Sequence, residues 1–136
     1  MCAFTKGVQT LLLMLMVVSA ASASGAPCIA PDNISRVTGG KECLLIKTRR
    51  HEERAMASTL FVLLHGNHSS GSPAISQVPV AEALAGSGDD GAVAVAIIRP
   101  GYNDAEGNYS SGNAAGRSDN FQTDNIDIVA DAISRL

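Results

Sequence analysis

The sequence has little positive charge and no long basic run. Its densest basic cluster, KTRRHEER at residues 47–54, contains two glutamates, and the whole chain has a formal net charge of −3. Proteins that bind nucleic acids use clustered Lys and Arg side chains to neutralise phosphates. Nucleic-acid binding therefore has no electrostatic support in this sequence.

The sequence also lacks an apolar run long enough to cross a membrane. The stretch LLLMLMVV covers residues 11–18 and has polar residues on both sides, whereas a spanning helix needs about 18 apolar residues or more. Lys6 before it and the small residues SAASASGA after it are typical of a secretory signal peptide. We expect cleavage near Ala23, so that residues 1–23 are a signal peptide. A single-pass anchor is the less favoured alternative. The mature chain is then periplasmic or extracellular, with no stable membrane span.

Cysteine is scarce, and one of the three cysteines lies in the predicted signal peptide. Removal of that segment leaves Cys28 and Cys43. Export to an oxidising compartment favours a disulfide between them, and two buried free thiols are the alternative. In the chain-entropy model, closing a loop of this size stabilises a fold by about 3 kcal/mol.

No complete set of metal ligands can be recognised. His65 and His68 are close in sequence, but no nearby carboxylate or cysteine completes a zinc site. The segment DAEGN, residues 104–108, lacks the glycine position and the bidentate glutamate of a calcium loop. We expect neither a metal nor a cofactor.

The rest of the sequence alternates between strand and helix patterns. Residues 24–42 are rich in Pro, Gly, Ser and Asn and are predicted to form an irregular N-terminal arm. The apolar patterns after them predict strands at residues 43–46, 58–64 and 92–98, and helices after Pro73 and within residues 123–136, with Thr123 or Asp124 as N-cap. This order indicates an α/β fold over residues 43–136, with a short, mostly parallel sheet and flanking helices.

Two turns add detail to this pattern. LFVLL runs directly into His65 and Gly66, and VAVAII runs into Arg-Pro-Gly-Tyr at residues 99–102. Residues 43–136 thereby resemble the α/β-hydrolase superfamily, in which a His-Gly turn after the third strand lines the oxyanion hole. The resemblance implies a serine hydrolase acting on an ester, amide or similar acyl bond of a small-molecule substrate. It also implies that His65 and Gly66 shape an oxyanion loop, in which the Asn67 backbone N–H is the donor.

The resemblance is incomplete because the sequence contains no G-x-S-x-G nucleophile elbow. In this family the nucleophile comes after the oxyanion loop, and the acid and histidine follow it. The chain thus resembles a partial hydrolase fold truncated before the elbow. We expect it to be incompletely folded and inactive alone, with an oxyanion loop but no member of the triad.

Two alternatives remain open. The segment NHSSG, residues 67–71, lies between a strand and a helix, so Ser69 is a weaker candidate nucleophile; Asn67 occupies the position where an elbow needs a small residue. The chain could instead be a small secreted α/β binding module. Its long polar loop, residues 101–122, would then contact the ligand or partner.

Overall fold

In the computed structural model, the described residues are 28, 31–50, 57–87, 91–114 and 121–136. They form four strands and two helices: β1 (Arg36–Gly39), β2 (Glu42–Arg50), β3 (Thr59–Leu64), α1 (Val78–Gly86), β4 (Ala92–Ile97) and α2 (Thr123–Ile133). The predicted signal peptide and its cleavage site lie outside the described residues.

The four strands form one sheet in the order β1-β2-β4-β3. β3 and β4 are parallel, whereas β2 is antiparallel to both β1 and β4. The predicted α/β class is therefore confirmed, but the sheet is mixed rather than mostly parallel. The connection between β2 and β3 explains part of the difference. Its eight residues are too few for a parallel crossover, which needs about a dozen, so β3 runs in the opposite direction to β2.

The two helices pack on opposite faces of the sheet. Side chains alternate along β3 and β4, so both faces present apolar side chains that a helix can cover. On one face, Val95 and Ile97 of β4 pack with Val129 and Ala132 of α2. On the other face lies a cluster of small alanines from β4 and α1, bordered by β3 side chains: Ala94, Ala96, Ala81, Ala85, Phe61 and Leu63. The apolar runs that predicted buried strands are thus packed on both sides at β4.

The N-terminal arm was predicted to be irregular, yet it contains β1. The Asp32 carboxylate accepts hydrogen bonds from the backbone N–H groups of Ile34, Ser35 and Arg36 and so fixes the turn that enters the strand. These bonds lower the pKa of Asp32. Gly39 ends β1 against α2, where a Cβ atom would overlap the carbonyl oxygen of Ile128.

Both helices start near the predicted positions but differ in detail. α1 begins at Val78, several residues after Pro73, and has Pro79 in its first turn, where the missing proline N–H costs no helical hydrogen bond. α2 begins at Thr123 with Gln122 at its N-cap, and no side chain caps it. The predicted N-cap, Thr123 or Asp124, thus lies in the first helical turn.

Candidate functional site

The His-Gly turn and the Arg-Pro-Gly-Tyr turn meet at one edge of the sheet. β3 and β4 are parallel and in register, with Leu64 opposite Ile97, so the residues after both strands leave the sheet side by side. In open α/β sheets, binding sites form outside the carboxyl ends of parallel strands. The structure therefore brings His65, Gly66 and Asn67 next to Arg99 and Tyr102.

His65 is buried and engaged through both ring nitrogens. Its Nε2 accepts a hydrogen bond from the Arg99 backbone N–H at 3.0 Å, and its Nδ1 lies 2.6 Å from the Gly66 carbonyl oxygen. An acceptor at Nε2 and a donor at Nδ1 correspond to the neutral tautomer that carries its proton on Nδ1. The ring also contacts Tyr102 edge-on, at 4.6 Å between centroids. In this geometry His65 ties the two turns together, and neither nitrogen is directed at a substrate.

Arg99 holds the loop from the other side. One guanidinium nitrogen, Nη2, donates to Asn67 Oδ1 at 2.9 Å and lies 3.5 Å from the Gly66 carbonyl oxygen. The guanidinium group also lies over the rings of Phe121, at 4.4 Å, and Tyr102, at 5.1 Å. Cation–π contacts of this kind are most favourable where water is excluded, and Arg99 is buried.

The Asn67 side chain is thereby held against the Arg-Pro-Gly-Tyr turn. Asn67 Oδ1 is within 3.4 Å of the Tyr102 hydroxyl as well as bonded to Arg99. Within the described residues, the Asn67 N–H donates to no backbone carbonyl, and the residue is exposed. A preorganised N–H at this edge of a sheet can stabilise a developing negative charge on oxygen.

The turn after Asn67 contains Ser69, the weaker candidate nucleophile from the sequence. Ser69 is exposed, and its hydroxyl makes no hydrogen bond to any part of the chain that the structure describes. The sharp strand-to-helix turn of a nucleophile elbow is not seen here, because β3 ends at Leu64 and α1 begins only at Val78. Ser69 thus lies midway along a loop.

Asp104 is the most enclosed carboxylate of the described structure, and its partners are donors from the chain itself. It accepts hydrogen bonds from the Glu106 and Asn108 backbone N–H groups and forms an ion pair with Lys47 at 3.1 Å. Burial alone would raise the pKa of Asp104, but the bonds from Asn108, Glu106 and Lys47 outweigh it and lower the pKa below its usual value. These donors occupy the oxygens that a calcium ion would need. No cluster of three metal-ligating side chains occurs among the residues the structure describes.

The first part of the long loop is anchored rather than free. Ser110 and Ser111 are buried, and their hydroxyls accept hydrogen bonds from the backbone N–H groups of Leu45 and Cys43. The Ser110 hydroxyl also donates to the Ile98 carbonyl oxygen. Nothing local in the sequence marks these serines, because their partners in β2 lie more than 60 residues away along the chain. Residues 115–120 of the loop lie outside the described residues.

An apolar groove lies beside the His-Gly turn, between the carboxyl end of β3 and α2. Its volume is about 190 Å³, and its lining residues are Leu64, Arg99, Phe121, Asn125, Ile126, Val129, Ala130 and Ile133. Four of these are large apolar side chains exposed by 37–52%. An exposed apolar cluster of this kind is typical of a surface that binds a ligand or a partner. No sequence pattern indicated the groove, because it joins residues from separate elements.

Cys28 and Cys43 form the expected disulfide, with 4.8 Å between their Cα atoms. It links the partly buried Cys28 of the N-terminal arm to the buried Cys43 of β2, on the side of the sheet away from β3. No helix of the described residues is long and apolar enough to cross a membrane.

Comparisons with protein-family models, curated proteins and solved structures found no match to this chain.

Proposed function

We propose that this chain is the N-terminal part of an exported α/β-hydrolase, a serine hydrolase that cleaves an ester, amide or similar acyl bond. In this proposal it supplies the oxyanion loop, His65, Gly66 and Asn67, to a nucleophile that lies in another part of the enzyme. The observation that carries the proposal is the Asn67 backbone N–H after the carboxyl end of β3, in an exposed residue whose side-chain oxygen accepts a hydrogen bond from Arg99.

The free side of the sheet supports this proposal. β3 is the last strand of the described sheet, so no described strand pairs with its outer edge. The apolar groove adjoins that edge on the α2 face. A strand paired with β3, followed by a helix over Leu64 and Ile126, would cover both surfaces. Its carboxyl end would lie beside Asn67, where a nucleophile needs to be.

Each residue of the loop has a distinct role in such a reaction. The Asn67 N–H would donate to the substrate carbonyl oxygen as it becomes an oxyanion. His65 would keep the two turns in register through its bonds to the Arg99 N–H and the Gly66 carbonyl. Arg99 would hold the Asn67 side chain, so that the amide needs no reorganisation during the reaction.

Removal of one amide hydrogen tests the role of Asn67. This chain would be co-expressed with the polypeptide encoded downstream of codon 136, and turnover of a p-nitrophenyl ester would be measured. Asn67→Pro, which lacks the N–H, is expected to lower kcat by about 10²–10³-fold. Asn67→Ala keeps the N–H but loses the side-chain contacts with Arg99 and Tyr102, so it is the matched comparison and is expected to lower kcat less than Asn67→Pro does. Equal kcat values for the two variants would contradict the assignment.

A further inference from the structure

A serine hydroxyl and an imidazole meet in the turn that follows the oxyanion loop. The Gly71 N–H donates to the His68 carbonyl oxygen at 3.2 Å, and Gly71 has a positive φ of 82° that glycine adopts without strain. This turn brings Ser72 Oγ to 3.3 Å from His68 Nδ1. Ser72 is not one of the serines that the sequence pattern indicated.

The Ser70 hydroxyl determines the direction of the hydrogen bond between Ser72 and His68. Ser70 Oγ donates to Ser72 Oγ at 3.1 Å, so the Ser72 oxygen is an acceptor on that side. Its own proton can then be donated to His68 Nδ1, in the tautomer that carries the ring proton on Nε2. The Ser70 hydroxyl is also placed to stabilise negative charge on the Ser72 oxygen.

The His68 ring is held by other rings rather than projecting freely into solvent. It is half-buried, with its centroid 5.3 Å from that of His65 and 6.5 Å from that of Tyr102, both edge-on. A nucleophile bonded to a base, and a base oriented by further groups, is the arrangement by which hydroxyl nucleophiles are activated.

We propose that Ser72 is an acyl-accepting nucleophile for activated esters, with His68 as its general base. Ser72 Oγ attacks the carbonyl carbon while its proton moves to His68 Nδ1. The bond between that carbon and the leaving-group oxygen then breaks, and His68 returns the proton to the departing alcohol. The products are an ester on Ser72 and one alcohol. We expect one acylation event per chain without sustained turnover.

This inference is independent of the proposed hydrolase function. Ser72 and His68 both belong to this chain, so their reaction needs no downstream polypeptide. The Asn67 amide is likewise unaffected by loss of the Ser72 hydroxyl. Acylation of Ser72 and reconstitution of ester turnover can therefore succeed or fail separately.

Labelling of the intact chain with a fluorophosphonate probe tests the proposal. The expected product is one adduct on Ser72, located by peptide mass spectrometry, with loss of fluoride and release of the proton through His68 to solvent. Ser72→Ala should abolish the adduct, and His68→Ala should slow labelling by at least about 100-fold. Ser87→Ala, on the surface after α1, is the control and should label as the parent does.

Two further observations separate general-base catalysis from a structural role of His68. Free imidazole should restore labelling of His68→Ala, because it can replace the missing base but not a packing contact. Circular dichroism should show the same melting curve for Ser72→Ala and the parent chain. Labelling on Ser69 or Ser70 instead, no labelling of the parent chain, or equal rates for the parent and His68→Ala would overturn the proposal.

Discussion

At the scale of single residues, the site depends on side chains that connect distant parts of the chain. His65 and Arg99 are 34 positions apart, yet each bonds to the turn that contains the other. The resemblance to α/β-hydrolases assigned an oxyanion loop to His65, Gly66 and Asn67, and that assignment stays a prediction. The contact between the Arg99 side chain and Asn67 was not predicted, because it depends on the parallel register of β3 and β4.

The buried Asp104 carboxylate is expected to contribute to the free energy of unfolding. Because its pKa is lowered in the folded chain, it stabilises the fold above the unfolded-state pKa of about 4. That stabilisation is lost as the pH falls below this value. Asp104→Asn should lower the free energy of unfolding at pH 7 by about 1–3 kcal/mol, measured by urea unfolding, and should flatten its decrease from pH 5 to pH 3.

Glu106 supplies the matched control, because it pairs with the same Lys47 but is exposed. Glu106→Gln should change the free energy of unfolding by less than about 1 kcal/mol. If the two variants had equal effects, the Asp104 carboxylate would not be the group that organises this loop.

At the scale of secondary-structure elements, sequence reasoning worked best where the hydrophobic pattern was long. The apolar runs predicted β3 and β4, and the apolar face of residues 123–136 predicted α2. The sequence did not predict β1. RVTG is short, and it forms a strand only through its pairing with β2 across a turn. The antiparallel direction of β2 was missed because an apolar strand pattern does not encode which neighbour the strand pairs with.

The outer edge of β3 leads to a prediction about self-association of the chain. β3 contains no charged residue, and charged residues are a common means of preventing association between sheet edges. We expect the chain to self-associate through this edge and the adjoining apolar groove. Leu64→Lys should raise the dissociation constant at least about tenfold, a cost of about 1.4 kcal/mol, as measured by light scattering over a concentration series.

The control places the same charge on an equally exposed apolar residue elsewhere. Val80 lies on α1 and is 50% exposed, compared with 43% for Leu64. Val80→Lys should leave self-association unchanged. A chain that stays monomeric at all concentrations, or that responds equally to both substitutions, would show that the β3 edge does not drive association.

At the scale of the whole molecule, the two sides of the sheet differ in how they are secured. On the β1 side, the disulfide and the packing of α2 hold the arm against the core. On the β3 side, the apolar groove is exposed. The sequence predicted the disulfide from cysteine count and compartment, but not the open groove, which depends on how separate elements assemble.

Removal of the disulfide, which lies on the β1 side of the sheet, should lower the free energy of unfolding. The two cysteines are separated by 15 positions, so the double variant Cys28→Ser, Cys43→Ser should lose about 3 kcal/mol of unfolding free energy in the chain-entropy model. Urea unfolding with and without reductant measures this loss. Cys2→Ser in the full chain leaves the pair intact and should behave as the parent. A reductant-insensitive parent would contradict the prediction.

The proposed oxyanion role of the Asn67 N–H requires a nucleophile that is encoded after this loop in the same gene. The most direct measurement is the coding sequence that continues beyond codon 136. We expect an apolar strand and a G-x-S-x-G motif within about 10–15 residues, as the connection lengths of βα units imply. A stop codon at that position, present in intact related loci as well, would contradict it.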